Sequence, residues 1–387
     1  MTLYLTLLVV FFIQFVISLE ASFISPIIPY LADYFSIRES SVIYLNLGFS
    51  TIGLFSPLFG MAADKYGKKN AIIFAILAFL SGTVITGWAP SPVIFGLGRM
   101  LIGIGNITLT TTLLSYISDF IPYENRGKGA GILRIAFAIA ILLSPIYSTN
   151  MVKYFNIHYL YWSVSILSII ILFLAIKLPK DHNEHISCSS ELNFKEVIAI
   201  TKKPITIKFL IIQFLLILAP ILMFNYLSIW LKHNFNLNQS HIGYVFTLTA
   251  LGTVIGVTIA AILSDKIGKI KYSILSFILM TLVLAPLPYI KSIHLVIPLT
   301  FLYALGLDGG WSAFQTICSE IYPNRRTVFM TLLYFVISIC SLLFTIIGPS
   351  LFELGGYKLV IGIGTISNIL SVILLIDVSK DKGFNIK

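Results

Sequence analysis

Apolar runs of about 20 residues, the length that crosses a bilayer, alternate with short polar connections from one end of the chain to the other. Runs of this kind cover residues 4–30, 43–62, 70–88, 92–118, 129–150 and 158–178, and they resume at 206–232, 241–263, 271–290, 294–318, 327–348 and 357–377. The pattern predicts an all-α integral membrane protein of twelve transmembrane helices in two pseudo-symmetric six-helix bundles. The one long hydrophilic connection divides it into an N-terminal bundle at 1–178, a linker at 179–205 and a C-terminal bundle at 206–387. The first run starts close to Met1 without a basic segment before it and is longer than a signal-peptide core, so it reads as a retained helix.

Composition narrows the picture. Of 387 residues, 57% are hydrophobic and 11% charged, against roughly 25% charged in a soluble domain. A dozen spans use up the length and leave no room for a soluble catalytic domain. Cys188, Cys318 and Cys340 are odd in number and scattered, which suggests no disulfide framework. His182, His185 and Cys188 in the linker have a spacing that admits weak metal binding, but a solvated linker explains them more simply. No metal or cofactor is expected.

The net charge of +10 is explained by topology rather than by nucleic acid. With an even number of spans both termini share one side. Of the loop Lys and Arg residues, only Arg38, Lys153, Lys232, Lys291 and Lys358 fall on the opposite side. The rest, among them Lys65, Lys68, Lys69, Arg126, Lys266, Lys269, Arg325 and Arg326, mark the terminal side as cytoplasmic by the positive-inside rule. A multi-pass protein of the cell membrane follows, with the lipid bilayer as its surroundings and no obligate protein partner evident.

An internal repeat supports two halves independently of hydropathy. Asp64, Lys65, Gly67 and Lys68 recur as Asp265, Lys266, Gly268 and Lys269, a shift of about 201 residues. At the same shift Ser118, Asp119 and Pro122 match Ser319, Glu320 and Pro323, and Gly105 matches Gly306. Parallel repeats of this sort predict a site near the membrane midplane where the halves meet.

The segment GMAADKYGKK, Gly60 to Lys69, resembles the loop motif GxxxDRxGRK of the major facilitator superfamily, and specifically of its twelve-helix drug:proton antiporter branch. Gly60 permits a close helix contact, Gly67 a tight turn, Asp64 can cap a neighbouring helix N-terminus, and the lysines suit an anionic membrane surface. Ala261 replaces the glycine in the second copy. GRMLIGIG in the fourth helix is similar to the family pattern RxxxGxG through Arg99, Gly103 and Gly105. The fifth helix departs from the antiporter motif: Gly131, Ala140, Ser144, Pro145, Ser148 and Thr149 keep small residues but lack its Gly-Pro pair, which occurs instead at Gly348 and Pro349. The resemblance implies alternating access, with Asp64, Asp119, Arg126, Asp265, Lys269 and the neighbouring lysines and glycines forming a cytoplasmic gate.

Ionisable groups inside spans are expensive and point to function. They are Glu20 in the first helix, Arg99 in the fourth, Arg134 near the inner end of the fifth and Asp308 in the tenth. Glu20 and Arg99 lie at similar depths and are expected partners, while Arg134 can snorkel to the surface. Gln14, Ser18, Ser22 and Ser25 form a polar stripe on a different face from Glu20. Asp308, flanked by Gly306, Gly309 and Gly310 that could admit water or cargo, is the leading proton-coupling candidate, with Glu20 second. Gln213, Asn225, Tyr226, Trp230, Trp311, Gln315 and Tyr334 are the candidates for a cargo pocket.

These readings converge on proton-coupled export of small amphipathic or drug-like molecules, the partners being a small-molecule substrate and protons. A sugar, nucleoside or siderophore carrier is the alternative, because loop motifs report fold and not cargo. A nontransporting membrane sensor or a membrane-embedded enzyme is a further alternative. The absence of GxxxxGK[ST], HExxH and GxSxG argues against ATP-driven pumping and common hydrolase chemistry.

Overall fold

In hydrocarbon a backbone has to satisfy its own hydrogen bonds, so a chain of long apolar runs is left with helices. A computed structural model describes residues 3–120, 126–179, 200–322 and 326–380, and its regular elements are all helical among those residues.

The first span is α1 (Leu3–Ala21) and α2 (Ile24–Phe35). The second combines a 3₁₀ segment at Glu39–Asn46, α3 (Leu47–Gly53) and α4 (Ser56–Tyr66), and bends by 49° between its halves. Then follow α5 (Lys68–Gly87), α6 (Pro92–Phe120), α7 (Arg126–Tyr154) and α8 (Ile157–Ile176). After the linker come α9 (Pro204–Phe235), α10 (Gln239–Ile267), α11 (Lys269–Leu284) and α12 (Ile293–Ile321). The 55-residue α13 (Arg326–Lys380) is broken at Gly356, with φ 60° and ψ −158°, and so supplies the eleventh and twelfth spans. The twelve-helix architecture is thus present. The first two spans are each interrupted within their apolar runs.

Local chemistry sets the ends. Asn156 caps α8 by accepting from the Tyr159 amide at 3.2 Å. Ser36 and Asn236 close α2 and α9, and they are the two non-glycine residues at positive φ among the described residues. Gly67 (φ 89°) and Gly268 (φ 94°) make the turns that open α5 and α11, a conformation that side chains rarely adopt.

The chain forms two compact units, Met1–Ser187 with Asn238–Thr247, and Cys188–Leu237 with Leu248–Lys387. In the first, α5 packs on α6 and α8, and α1 packs on α7. Its core holds Ile13, Phe23, Phe79, Phe95, Leu109 and Tyr161, all essentially inaccessible. In the second, α9 packs along α13 and α11 packs on α12, around Phe209, Phe277, Phe314 and Phe329.

The repeat extends to packing. A Cβ on Gly105 would lie 2.6 Å from the Ala75 carbonyl and from Phe79, and one on Gly306 would lie 2.8 Å from the Ser276 carbonyl and 3.2 Å from the Met280 amide. Each of these contacts is displaced by the same 201 residues. Two glycine expectations are corrected. Gly60 makes no close helix contact, since nothing lies within 4 Å of its Cβ position. The glycines beside Asp308 open no space: Gly306 and Gly310 are filled by α11 and Gly309 by the Gly256 carbonyl of α10, because missing side chains let helices close on each other.

Candidate functional site

The first unit contains a buried charge cluster. Glu20, in the last turn of α1, and Arg99, a quarter of the way along α6, are both inaccessible, and an Arg99 Nη1 hydrogen donates to Glu20 Oε1. Tyr161 of α8 donates its hydroxyl to the same oxygen at 3.3 Å. Arg99 Nε donates to Asn46 Oδ1 at 3.0 Å, and the guanidinium lies 4.9 Å from the centre of the Phe49 ring. Phe23 and Phe95 enclose the Tyr161 ring edge-on, at 6.3 Å and 5.6 Å. The second carboxylate oxygen, Glu20 Oε2, is buried with no hydrogen-bond partner among the described residues.

Charges buried at this cost persist only when paired and hydrogen-bonded. The expected Glu20 and Arg99 partnership is therefore met. Tyr161, Asn46 and Phe49 complete it. A tyrosine tip in an otherwise apolar span was the available signal for Tyr161; nothing in the sequence pointed to Asn46 or Phe49. The polar stripe is occupied elsewhere: Gln14 donates to Ser18 at 2.8 Å, and Ser22 donates to the Ser18 carbonyl at 3.3 Å. Arg134 is exposed, as its expected snorkelling requires.

At the motif-bearing edge of each unit an equivalent ion pair ties two helices. Lys68 meets Asp119 at 2.7 Å in the first unit, and Lys269 meets Glu320 at 2.6 Å in the second, with Asp265 3.9 Å from the same lysine. Glu320 is the counterpart of Asp119 in the repeat and lies outside the gate set that the sequence suggests. Lys65 lies 5.3 Å from the Tyr66 ring centre. Lys69 is half-buried. Asp64 and Arg126 sit in α4 and α7, but their side chains lie outside the described ones, as do His182, His185 and Cys188.

The second unit has a different interior. Thr253 of α10 donates to Asp308 Oδ2 at 2.7 Å. Tyr303, one turn and a half earlier on α12, is within electrostatic reach of Asp308 and Tyr357. Among the cargo candidates, Gln213 is inaccessible, and neither it nor Gln315 has a hydrogen-bond partner for its side-chain amide among the described residues. The Phe209 and Phe314 rings, stacked at 5.8 Å, join the helices that carry these two glutamines. Trp230 stacks on Tyr357 at 4.7 Å and Tyr226 on Phe352 at 4.6 Å. Trp311 meets Phe314, Asn225 is half-buried and Tyr334 is 52% exposed, so the structure does not gather all seven candidates in one place.

Comparison with known proteins places this geometry. A family model described as Major Facilitator Superfamily matches residues 10–231 and 209–385. The MFS-type transporter YwfA of Bacillus subtilis (strain 168) is 24% identical over 325 residues, covering 81% of this chain and 78% of that protein. Multidrug resistance protein 3 of the same organism is 27% identical over 129 residues, 33% of this chain and 25% of its own length. Among solved structures, the D-xylose-proton symporter superposes with a TM-score of 0.82 at 14% identity, over 97% of each chain.

Proposed function

The chain belongs to the Major Facilitator Superfamily, and from that premise we propose that it is a proton-coupled exporter of small amphipathic molecules, with Glu20 as the proton-exchanging group. It is a multi-pass membrane transporter that binds a small-molecule substrate. The rest is our reading: the six-helix halves joined at 179–205 alternate access, with both termini cytoplasmic, and the Lys68–Asp119 and Lys269–Glu320 pairs belong to the gate.

One observation carries the proton assignment. Glu20 is wholly buried, one oxygen is held by Arg99 and Tyr161, and the other has no partner among the described residues. Such a carboxylate has two available states, charged and paired, or neutral with Arg99 released. Arg99 also holds Asn46 and lies over the Phe49 ring, partners that on this reading would spare it from being stranded as a bare cation. This support puts Glu20 ahead of Asp308, which remains the second candidate. Export of amphipathic cargo rests on the loop-motif resemblance and on the aromatic surroundings of the second unit. The amides of Gln213 and Gln315, without hydrogen-bond partners among the described residues, favour a second reading, a carrier of neutral hydroxylated metabolites, since each amide offers both a donor and an acceptor.

The test uses purified protein in proteoliposomes with an imposed pH gradient and three probes: ethidium, D-xylose and uridine. We expect gradient-driven ethidium movement that Glu20→Gln abolishes while downhill exchange survives. Movement of D-xylose or uridine alone would favour the metabolite reading. Undiminished uphill transport by Glu20→Gln would remove Glu20 from the coupling role.

A further inference from the structure

The interruption of the first span lies directly after Glu20, and its hydrogen bonds show what holds it open. In a continuous helix the Leu19 carbonyl accepts from the Phe23 amide four residues on. Here the Phe23 amide turns to the Glu20 carbonyl instead, at 3.0 Å. The Leu19 carbonyl is taken by the hydroxyl of Ser144 in α7, at 2.7 Å and fully buried. The two preceding carbonyls also receive side-chain donors: Ser18 from Ser22 at 3.3 Å, and Ile17 from Asn106 of α6 at 3.1 Å. α1 stops at Ala21 and α2 starts at Ile24, so the break coincides with this set of side-chain donors, two of them from other helices.

We propose that Ser144 is a positioning residue for Glu20: by holding the Leu19 carbonyl it keeps the first span broken and sets the carboxyl on Arg99. The proposal rests on Glu20 being the proton-exchanging group. The physical basis is the cost of an unpaired backbone carbonyl in a dry interior. With Ser144 present, the carbonyl is satisfied without the Phe23 amide, and the break is stable. Without the hydroxyl, the cheapest partner left for the carbonyl is the Phe23 amide, and taking it re-forms the continuous helix. Glu20 lies one residue before the break. Closing it turns the last residues of α1 relative to α6 and α8, from which Arg99 and Tyr161 reach the carboxyl. Neither the apolar pattern nor charge marks Ser144, because serine at this place in the fifth span reads as one more small packing residue.

The experiment compares Ser144→Ala, Ser144→Thr and the parent, all full-length in nanodiscs. Deuterium exchange of the amides at residues 22–24 reads the break directly. The pH midpoint of gradient-driven ethidium transport reads its effect on Glu20. We expect exchange to slow by about fivefold in Ser144→Ala, the worth of one ordinary hydrogen bond, with a displaced pH midpoint. Ser144→Thr, which keeps the hydroxyl, should restore both. Exchange and pH midpoint both unchanged in Ser144→Ala would overturn the proposal, as would a Ser144→Thr variant behaving like Ser144→Ala. If Ser144→Ala does not accumulate, Ser144→Cys, a weaker donor of similar size, should give intermediate exchange, and parent-like exchange there would count against the idea. The exchange measurement does not depend on transport, so a failure of Glu20→Gln to alter coupling remains distinguishable from a failure of the Ser144 mechanism.

Discussion

The two units share a scaffold and differ in what they bury. Both open a helix with a left-handed glycine, Gly67 or Gly268, both tie it with a lysine to an acidic residue 51 positions on, and both press a glycine onto a neighbouring backbone. Inside, the first unit holds an opposed charge pair with its partners in place. At the same shift from Arg99 the second unit has Thr300, and its buried polar groups include hydroxyls, the Gln213 and Asn368 amides and the Tyr303 and Tyr357 phenols; the Gln213 amide and those two phenol oxygens have no hydrogen-bond partner among the described residues, and Asp308 accepts from a threonine. The shared scaffold carries the geometry of a repeated helix pair, and the two interiors differ; on the function proposed above, the first would handle charge and the second would meet cargo.

The comparison breaks most readily at the buried pair. Arg99→Met leaves Glu20 uncompensated in a dry core, and we expect the first unit to lose about 3–5 kcal/mol. Adding Glu20→Gln should recover most of that loss, because the stranded charge is removed. Unfolding of both variants in mixed micelles measures this, and a loss below about 1 kcal/mol for the single variant would mean that the pair is not a buried unit.

A smaller effect tests the shared scaffold. Gly105→Ala and Gly306→Ala each force a methyl against a backbone carbonyl, so both should destabilise by about 1–3 kcal/mol. The two costs should resemble each other. A large cost at Gly105 and none at Gly306 would show that the repeat does not extend to packing.

The second unit should respond with the opposite sign at Gln213. Gln213→Leu replaces a buried group that has no hydrogen-bond partner among the described residues by an apolar one of similar volume, and is expected to stabilise by about 1–3 kcal/mol while weakening thermal protection by transported probes. Destabilisation would instead reveal that the amide is satisfied in the folded protein.

The smallest effects belong to the edge pairs. Lys68→Ala and Lys269→Ala should each cost about 0.2–1 kcal/mol, with Lys68 at the upper end because its pair is the less exposed. Their larger consequence should be kinetic, in the rate of probe exchange. Equal rates in parent and variants would remove these pairs from the gate.

Much of the fold was determined by the sequence alone. The number of spans, the division into repeated halves and the places of Gly67, Gly268, Lys68 and Lys269 follow from hydropathy and from a fixed shift, because a bilayer leaves apolar segments only the helix and because a repeat copies its turns. The depth of Glu20 and Arg99 was likewise readable by counting turns. What only the tertiary structure decided depends on rotation and contact between helices. The pairing of Tyr161 and Asn46 with the buried charges brings in residues from two further places in the chain. The closing of space beside Gly306, Gly309 and Gly310 depends on which helix faces each glycine. The interruption of the first span after Glu20 is set by a serine 125 residues away. Apolar periodicity carries no record of such meetings, since in a span that is apolar all round every face looks alike until a neighbour arrives.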